Sequence, residues 1–597
     1  MFDIFRIASL LPDLRCADVV FNREAMKECY RQSVASGASL VLLPAMAVTG
    51  KSCGDLFTQI HLLSSAMAAA EDFAAITGEV PAVFGLPELV NGKLLECAAV
   101  AQSGKIIAHV VRRDPDLPGF SGEVPQIDGF YAAGQVFDGR LSFSVNFAGD
   151  TPVFPGGEVQ LYCGAEPEVP GAQRRRENFF KAVSDSCGSV TAASFAGSME
   201  STSDQVYGGA LLICQSGKIL ASRPAPAAGT GAIYADIDRE KILFAQLKRS
   251  LPSTCPVKIA GIPQAPDFRY LDNPAHPFLP DDPEERCDFF RETFALQCTG
   301  LAERFKRCGA KRMVLGISGG LDSTLALVVM AMVCKEQGLP SDTILAVTMP
   351  GFGTTGRTRN NALLLAELLG AEIREIPIGK ACMQHFADIG HDPEVTNSVY
   401  ENSQARERTQ ILMDVANGVN DIVIGTGDLS EIALGWSTFN GDQMAMYAVN
   451  GSIPKSNIAP MLEYAASQLP GSRDILMDVI NTPVSPELLP AGENGEILQK
   501  TEAVLGAYEL HDYYLYNFMH GIGAPDKLLA LAKAAFGEVY PQEELIRVRE
   551  LFMRRFFTQQ FKRTAGPDGV QAGVISLSGR TSWRMGADIS GKLWRNN

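Results

Sequence analysis

The sequence predicts a chain of two α/β domains, the first a layered sandwich and the second a doubly wound parallel sheet. Three observations carry that expectation. Residues 1 to about 265 alternate short apolar runs with helical segments and tight turns; a proline- and acid-rich span follows between Ala260 and Pro283; and strands then alternate with helices from residue 312 through Ile424. A sheet wound in that second way takes its ligands at the carboxyl ends of its strands.

Taken in order, Ile4 to Leu10 reads as a strand, Arg23 to Ser36 as an amphipathic helix, Leu40 to Leu43 as a buried strand and Ala82 to Gly85 as another. The segments Leu95 to Ile107 and Leu211 to Ile219 each carry an apolar run into Gln-Ser-Gly-Lys-Ile, at Gln102 to Ile106 and Gln215 to Ile219. Ser-Gly supplies the positive φ of a hairpin turn, and the echo predicts two sheets built alike. Pro263, Pro266, Pro274, Pro277, Pro280 and Pro283 stiffen the chain and remove backbone donors, so this span reads as a linker. The boundary is expected near residue 268, giving domains 1–267 and 268–597. Helix Glu285 to Lys306 then leads into strand Arg312 to Ile317.

At 597 residues the chain is too long for one hydrophobic core, and 46% apolar with 20% charged residues is the composition of folded globular protein. A balance of 52 Lys+Arg against 68 Asp+Glu, net −16, argues against a general nucleic-acid or membrane-surface binder. No apolar run reaches the roughly 20 residues of a membrane span, and no signal-peptide core is present. Thirteen cysteines without a Cys-x-x-Cys pair or zinc spacing read as reduced thiols, which together with the missing leader implies the cytoplasm.

Directly after the apolar run Met313 to Ile317 comes Ser318-Gly319-Gly320-Leu321-Asp322-Ser323-Thr324, then the helical run Leu325 to Cys334. Glycines let backbone N–H groups approach phosphate oxygens, a helix N-terminus adds positive potential, and Ser318 and Ser323 add hydroxyl donors. Asp322 would repel phosphate unless a cation lies between them, for which Mg²⁺ is the natural choice. A tight strand-to-helix turn alone could use the same residues. The string resembles the PP-loop of N-type ATP pyrophosphatases, and lacks the lysine of a Walker A loop. The resemblance implies cleavage of ATP to AMP and pyrophosphate, with Gly316, Ile317, Ser318, Gly319, Gly320, Leu321, Asp322 and Ser323 on the nucleotide.

Further strings narrow the acceptor: Pro350 to Thr358; Glu401-Asn402-Ser403-Gln404-Ala405-Arg406-Glu407-Arg408, read as an exposed helical face; Gly425 to Phe439; Gly441-Asp442-Gln443; Ile453-Pro454-Lys455; and Gln560-Phe561-Lys562-Arg563. Together they resemble NAD synthetases of the long, glutamine-dependent type, in which an amidase domain precedes the synthetase. That family adenylates the nicotinate carboxylate of deamido-NAD, and ammonia then displaces AMP. The resemblance implies ATP contact for Thr426 and Mg²⁺ carboxylates in Asp322 and Glu431, with Glu431 alternatively serving deamido-NAD. It places Asn402, Trp436, Ser437, Thr438, Phe439 and Lys562 on deamido-NAD, and Arg406, Lys455 and Arg563 as weaker phosphate candidates. A Trp with a nearby Phe can stack a heteroaromatic ring, and cations neutralise phosphoryl charge. Alone, Trp436 would read as core and Lys562-Arg563 as a solvated face. Family members also assemble through both domains, so a homo-oligomer is expected.

The first half resembles the nitrilase-type amidases, expected as an α-β-β-α sandwich, on Ser39 to Gly50 and Ser52-Cys53-Gly54-Asp55-Leu56-Phe57. Such glutaminases use a glutamate base, a lysine for the oxyanion and a cysteine nucleophile. The glutamate position, after Pro44, is Ala45. The lysine position, three before Leu117-Pro118, is Asp114, or Arg113 with a one-residue slip. The nucleophile position, after Val145-Asn146-Phe147, is Ala148, and Cys163 reads as a structural thiol. These replacements predict a domain inactive as a glutaminase beside a working synthetase fed by free ammonia or by an external ammonia-donating partner. The alternatives are glutamine use through an unrecognised site, another PP-loop ligase or amidotransferase, and a non-catalytic binding protein.

Overall fold

The structure, a computed structural model, describes residues 4–137, 140–150, 157–247, 273–353, 356–482 and 501–595. The chain divides into two compact units, Met1–Ser201 with Val206–Ile259, and Thr202–Gln205 with Ala260–Asn597. The boundary expected near residue 268, with Pro263 and Pro266, lies outside the described residues.

The first unit holds two sheets. One orders its strands Gly231–Asp238, Ile4–Leu11, Leu40–Leu42, Ala82–Val90, Lys93–Gln102, Lys105–Val111 and Phe130–Ala132; the other orders Lys218–Arg223, Leu211–Gln215, Val190–Phe195, Val159–Gly164, Phe143–Phe147 and Val136–Phe137. Period-2 alternation lets each strand feed two cores. Leu40, Leu42, Val145, Leu161 and Ala192 meet between the sheets, whereas Val41 and Leu43 pack outward among residues of the helices Val19–Ala35 and Ile60–Ala74. Helix Ala172–Cys187 covers the second sheet through Phe180, against Tyr162 and Phe195. The result is an α-β-β-α sandwich. Both echoed hairpins turn where expected, with positive φ at serine as well as glycine (Ser103 54°, Gly104 80°; Ser216 50°, Gly217 75°).

The second unit is built on five parallel strands in the order Glu372–Glu375, Ile344–Thr348, Met313–Gly316, Ile422–Gly425, Tyr447–Ala448. The chain leaves Met313–Gly316 toward one edge and later returns to its other side, so the winding reverses between Met313–Gly316 and Ile422–Gly425. The crevice for a ligand lies there. Pro283 starts the helix Pro283–Cys308 instead of ending the linker, because proline costs nothing at a first-turn position and the Asp282 side chain accepts from Glu284 N and Glu285 N. Likewise Leu321 to Thr324 are not loop: helix Leu321–Gln337 begins immediately after Gly320.

A second core in this unit gathers the helices Tyr508–Met519, Pro525–Phe536 and Gln542–Thr558. His511 is sealed in it, with Nε2 3.0 Å from Leu505 O and Nδ1 unpartnered. Burial pushes its pKa down to about 4. Between pH 6.5 and about 4 the unfolded chain binds a proton that the folded chain refuses, so stability is full above that window and is lost as pH falls through it. Melting temperatures measured across this window should fall less for His511→Asn than for the parent chain; equal slopes would contradict the assignment.

Candidate active site

The carboxyl ends of Met313–Gly316 and Ile422–Gly425 open into a cavity of about 570 Å³. Gly316, Ile317, Ser318, Asp322 and Ser323 line one side and Gly425 and Thr426 the other. Gly319 takes φ +83°, a left-handed turn that glycine makes without strain and that lets the chain reverse into the helix. Ser318 and Ser323 brace this turn: Oγ to Oγ is 3.2 Å, Gly320 N donates to Ser318 Oγ at 3.2 Å, and Ser323 Oγ donates to Gly320 O at 3.2 Å. The first turn of Leu321–Gln337 then points its positive end at the cavity, the arrangement expected of a polyphosphate cradle.

Asp322 and Glu431 come together as expected, and a third carboxylate joins them. Asp428 caps the short helix Leu429–Leu434 by accepting from Glu431 N at 2.8 Å, which turns its other oxygen toward the pair. Ligand oxygens of the three lie within 4.8 Å of one another, a donor set of hard oxygens suited to Mg²⁺. Lys455, the first residue of helix Lys455–Gln468, places Nζ 2.8 Å from Asp322 Oδ2, 2.6 Å from Asp428 Oδ2 and 3.0 Å from Glu431 Oε1. A buried ammonium in the centre shows that the cluster accommodates a cation. Burial pushes Asp428 well above the carboxylate range and Glu431 up to about 7, against the opposing pull of Lys455. Burial alone would lower the Lys455 ammonium, but the three carboxylates hold it well above its ordinary value.

On the far wall lie Asn402, Trp436, Ser437, Thr438 and Lys562. Thr438 Oγ1 donates to Asn402 Oδ1 at 2.7 Å and Thr438 N to Asp442 Oδ1 at 2.8 Å, fixing the loop after Gly435. Lys562 Nζ donates to Gly435 O at 2.8 Å and Ser437 O at 2.6 Å. The Arg555 guanidinium lies 5.0 Å from the Trp436 ring centroid and lines the cavity beside it. Glu401 to Arg408 is not an exposed face: Ser403, Gln404 and Ala405 are buried in helix Ser398–Asn417, and Glu401, Asn402 and Arg408 line the cavity. A helix polar on several sides is explained here by a polar cavity along one of them.

Three expected side chains are elsewhere. Arg563 is buried outside the cavity lining and donates to Ile432 O, Ala433 O, Phe556 O and Gln560 Oε1, so it caps the end of Leu429–Leu434 instead of facing the cavity. Phe439 is exposed and rests on Phe561, ring centroids 5.4 Å apart, outside the cavity lining. Arg406 donates to Phe439 O at 3.2 Å on the exposed side of its helix. Arg408, Arg555 and Tyr508 line the cavity and Asp428 joins the carboxylate cluster beside it, and sequence reasoning assigned none of the four. Asp428 alone had a usable signal, a carboxylate at the helix-capping position after Gly425-Thr426-Gly427.

In the first unit, Ala148 lines a second cavity, of about 600 Å³, together with Asp114, Asn146, Asp150 and Tyr162. Ala45 is not among its lining; it is buried in the core between the sheets, with its N 3.3 Å from Gly164 O. The cation that contacts Ala148 O is neither residue 114 nor residue 113, although Arg113 and Asp114 also line this cavity. Arg112, the first residue past strand Lys105–Val111, is 4% exposed and donates from Nη2 to Ala148 O at 3.2 Å, whereas Arg113 and Asp114 fall on the exposed side. Arg112 also donates to Asp150 at 2.9 Å, Asp116 at 3.0 Å and Glu96 at 3.1 Å. Lys51 Nζ pairs with the same Glu96 at 3.0 Å and Asp116 at 2.5 Å. Burial would lower the Arg112 guanidinium, but these carboxylates outweigh it and raise it. Cys163 is fully buried, and burial pushes its thiol up, away from the nucleophilic thiolate form.

The NAD synthase family model matches residues 294–539. The glutamine-dependent NAD(+) synthetase of Mycobacterium tuberculosis is 30% identical over 660 aligned positions, covering 99% of this chain and 97% of the relative; that of Mycobacterium leprae is 28% identical over the same shares. The solved structure of a glutamine-dependent NAD(+) synthetase from Cytophaga hutchinsonii superposes with a TM-score of 0.78 at 16% identity, covering 99% of each chain.

Proposed function

Since the chain belongs to the glutamine-dependent NAD(+) synthetase family and is an NAD-forming ligase, we propose that it amidates deamido-NAD with ammonia taken directly, its first domain having no glutaminase chemistry. Ala148 carries this reading: a methyl group stands where a thiolate would attack the glutamine amide, and the neighbouring buried cation is committed to Ala148 O and three carboxylates. The first domain then persists as a fold without that reaction.

In the second domain, Gly316 to Ser323 and Thr426 would hold ATP, with N–H groups and the Ser318 and Ser323 hydroxyls on the polyphosphate; Gly316, Ile317, Ser318, Asp322, Ser323 and Thr426 line the cavity. Asp322, Asp428 and Glu431 would hold Mg²⁺, which neutralises the charge that develops on the phosphates. Asn402, Trp436, Thr438 and Lys562 would orient deamido-NAD so that its nicotinate carboxylate oxygen attacks the ATP α-phosphorus as pyrophosphate leaves. Ammonia nitrogen then attacks the activated carbonyl carbon, loses a proton and expels AMP. The purified chain should turn over deamido-NAD, ATP and ammonium to NAD, AMP and pyrophosphate while releasing no glutamate from glutamine. Glutamate release in step with NAD formation would refute the proposal.

A further inference from the structure

An ammonium has three N–H bonds, and those of Lys455 are engaged by Asp322 Oδ1 at 2.9 Å, Asp322 Oδ2 at 2.8 Å and Glu431 Oε1 at 3.0 Å. Asp428 Oδ2 is the nearest oxygen of all, 2.6 Å from Nζ, so four carboxylate oxygens compete for three N–H bonds and no proton is left for it alone. Asp428 is fully buried, so no solvent reaches that oxygen either. Its carboxylate therefore shares the ammonium's protons with Asp322 and Glu431. An ion that coordinates without directional N–H bonds would satisfy Asp322, Asp428 and Glu431 together. Charge points the same way: a divalent ion offers this buried carboxylate cluster twice the charge of one ammonium.

We propose that Lys455 is a tethered occupant of the divalent-cation place, holding Asp322, Asp428 and Glu431 together in the substrate-free enzyme and yielding that place when the ion enters with the nucleotide. This deepens the reading of the cavity as an Mg²⁺-dependent adenylation site and rests on it. The four-carbon stem of lysine lets the ammonium swing aside without moving the backbone, and the Tyr508 ring, whose centroid is 5.5 Å from Nζ, flanks its path. Lys455 acts here as a positioning residue, one that sets the spacing of the carboxylates.

The test uses Mn²⁺ as a spin-visible probe, titrated against the full chain without nucleotide and followed by electron paramagnetic resonance. Lys455→Met removes the competing charge at similar volume and should bind Mn²⁺ about tenfold or more tightly than the parent chain. Asp428→Asn added to Lys455→Met should cancel most of that gain. Equal or weaker binding by Lys455→Met would overturn the proposal. If Lys455→Met does not fold, Lys455→Arg decides: a guanidinium with five donors should grip the carboxylates harder and weaken Mn²⁺ binding severalfold, and unchanged or tighter binding would overturn the proposal. Because no nucleotide or deamido-NAD is present, these titrations stand apart from the activity reading, whose own failure is seen as absent NAD formation by the parent chain with ammonium.

Discussion

Asp322→Asn should lower ammonium-dependent NAD formation by roughly a hundred- to a thousandfold, the scale of losing one preorganised charge at a phosphoryl centre. Asp322 sits in the first helical turn of the phosphate loop and gives both oxygens to Lys455. With an amide in that place, one of the three carboxylates that gather the cation is gone, and the loop keeps its shape because the Ser318 and Ser323 hydroxyls, which do not involve Asp322, fix the turn. Stability should hold or rise, since one member of a like-charged trio is removed. Pyrophosphate release under saturating ATP and deamido-NAD measures the effect. A variant that folds and keeps more than about a tenth of the parent rate would remove Asp322 from the reaction.

The largest effect on folding is expected in the other half. Arg112→Ala should destabilise the first domain by about 3–5 kcal/mol, the usual cost of breaking a buried ion pair from one side. Glu96 is fully buried and Asp150 nearly so, and both lose their guanidinium partner while staying out of water. Lys51 continues to reach Glu96 but cannot reach Asp150's place, since its ammonium is already shared between Glu96 and Asp116. Arg112→Lys keeps the charge but loses the fork that serves three carboxylates and a carbonyl at once, so its cost should be intermediate. Urea melts of the full chain, read at the lower of its transitions, report both. An Arg112→Ala melt within 1 kcal/mol of the parent would show that the cluster contributes little.

The same residues show what a sequence can and cannot disclose. Gly319, Ser318, Ser323 and Asp322 were readable because a strand, a glycine turn and a helix start occur in one short string, and local geometry alone brings their groups to the crevice. Glu431 was readable in part for the same reason, following Gly-Thr-Gly-Asp at the end of the adjacent strand, whereas Thr426 came from family resemblance. Asn402 and Lys562 depended on family resemblance, being far apart in the chain and joined only by the fold. Phe439, Arg406 and Arg563 lie in the same strings but turn away, because one position along a loop or helix decides whether a side chain faces the cavity, the solvent or a row of carbonyls. Arg112 was missed through strand register: past the end of Lys105–Val111, counting back from Leu117-Pro118 falls on the exposed residues that follow it. Tyr508 lies 186 residues beyond Asp322 and no pattern marks it.

The most direct test of this account supplies both nitrogen sources at once. With saturating ATP, Mg²⁺ and deamido-NAD, unlabelled ammonium and amide-¹⁵N glutamine are offered together and the NAD formed is weighed. The account predicts NAD whose carboxamide nitrogen is unlabelled, at a rate unchanged by glutamine. NAD carrying ¹⁵N, above what spontaneous glutamine breakdown supplies, would contradict it.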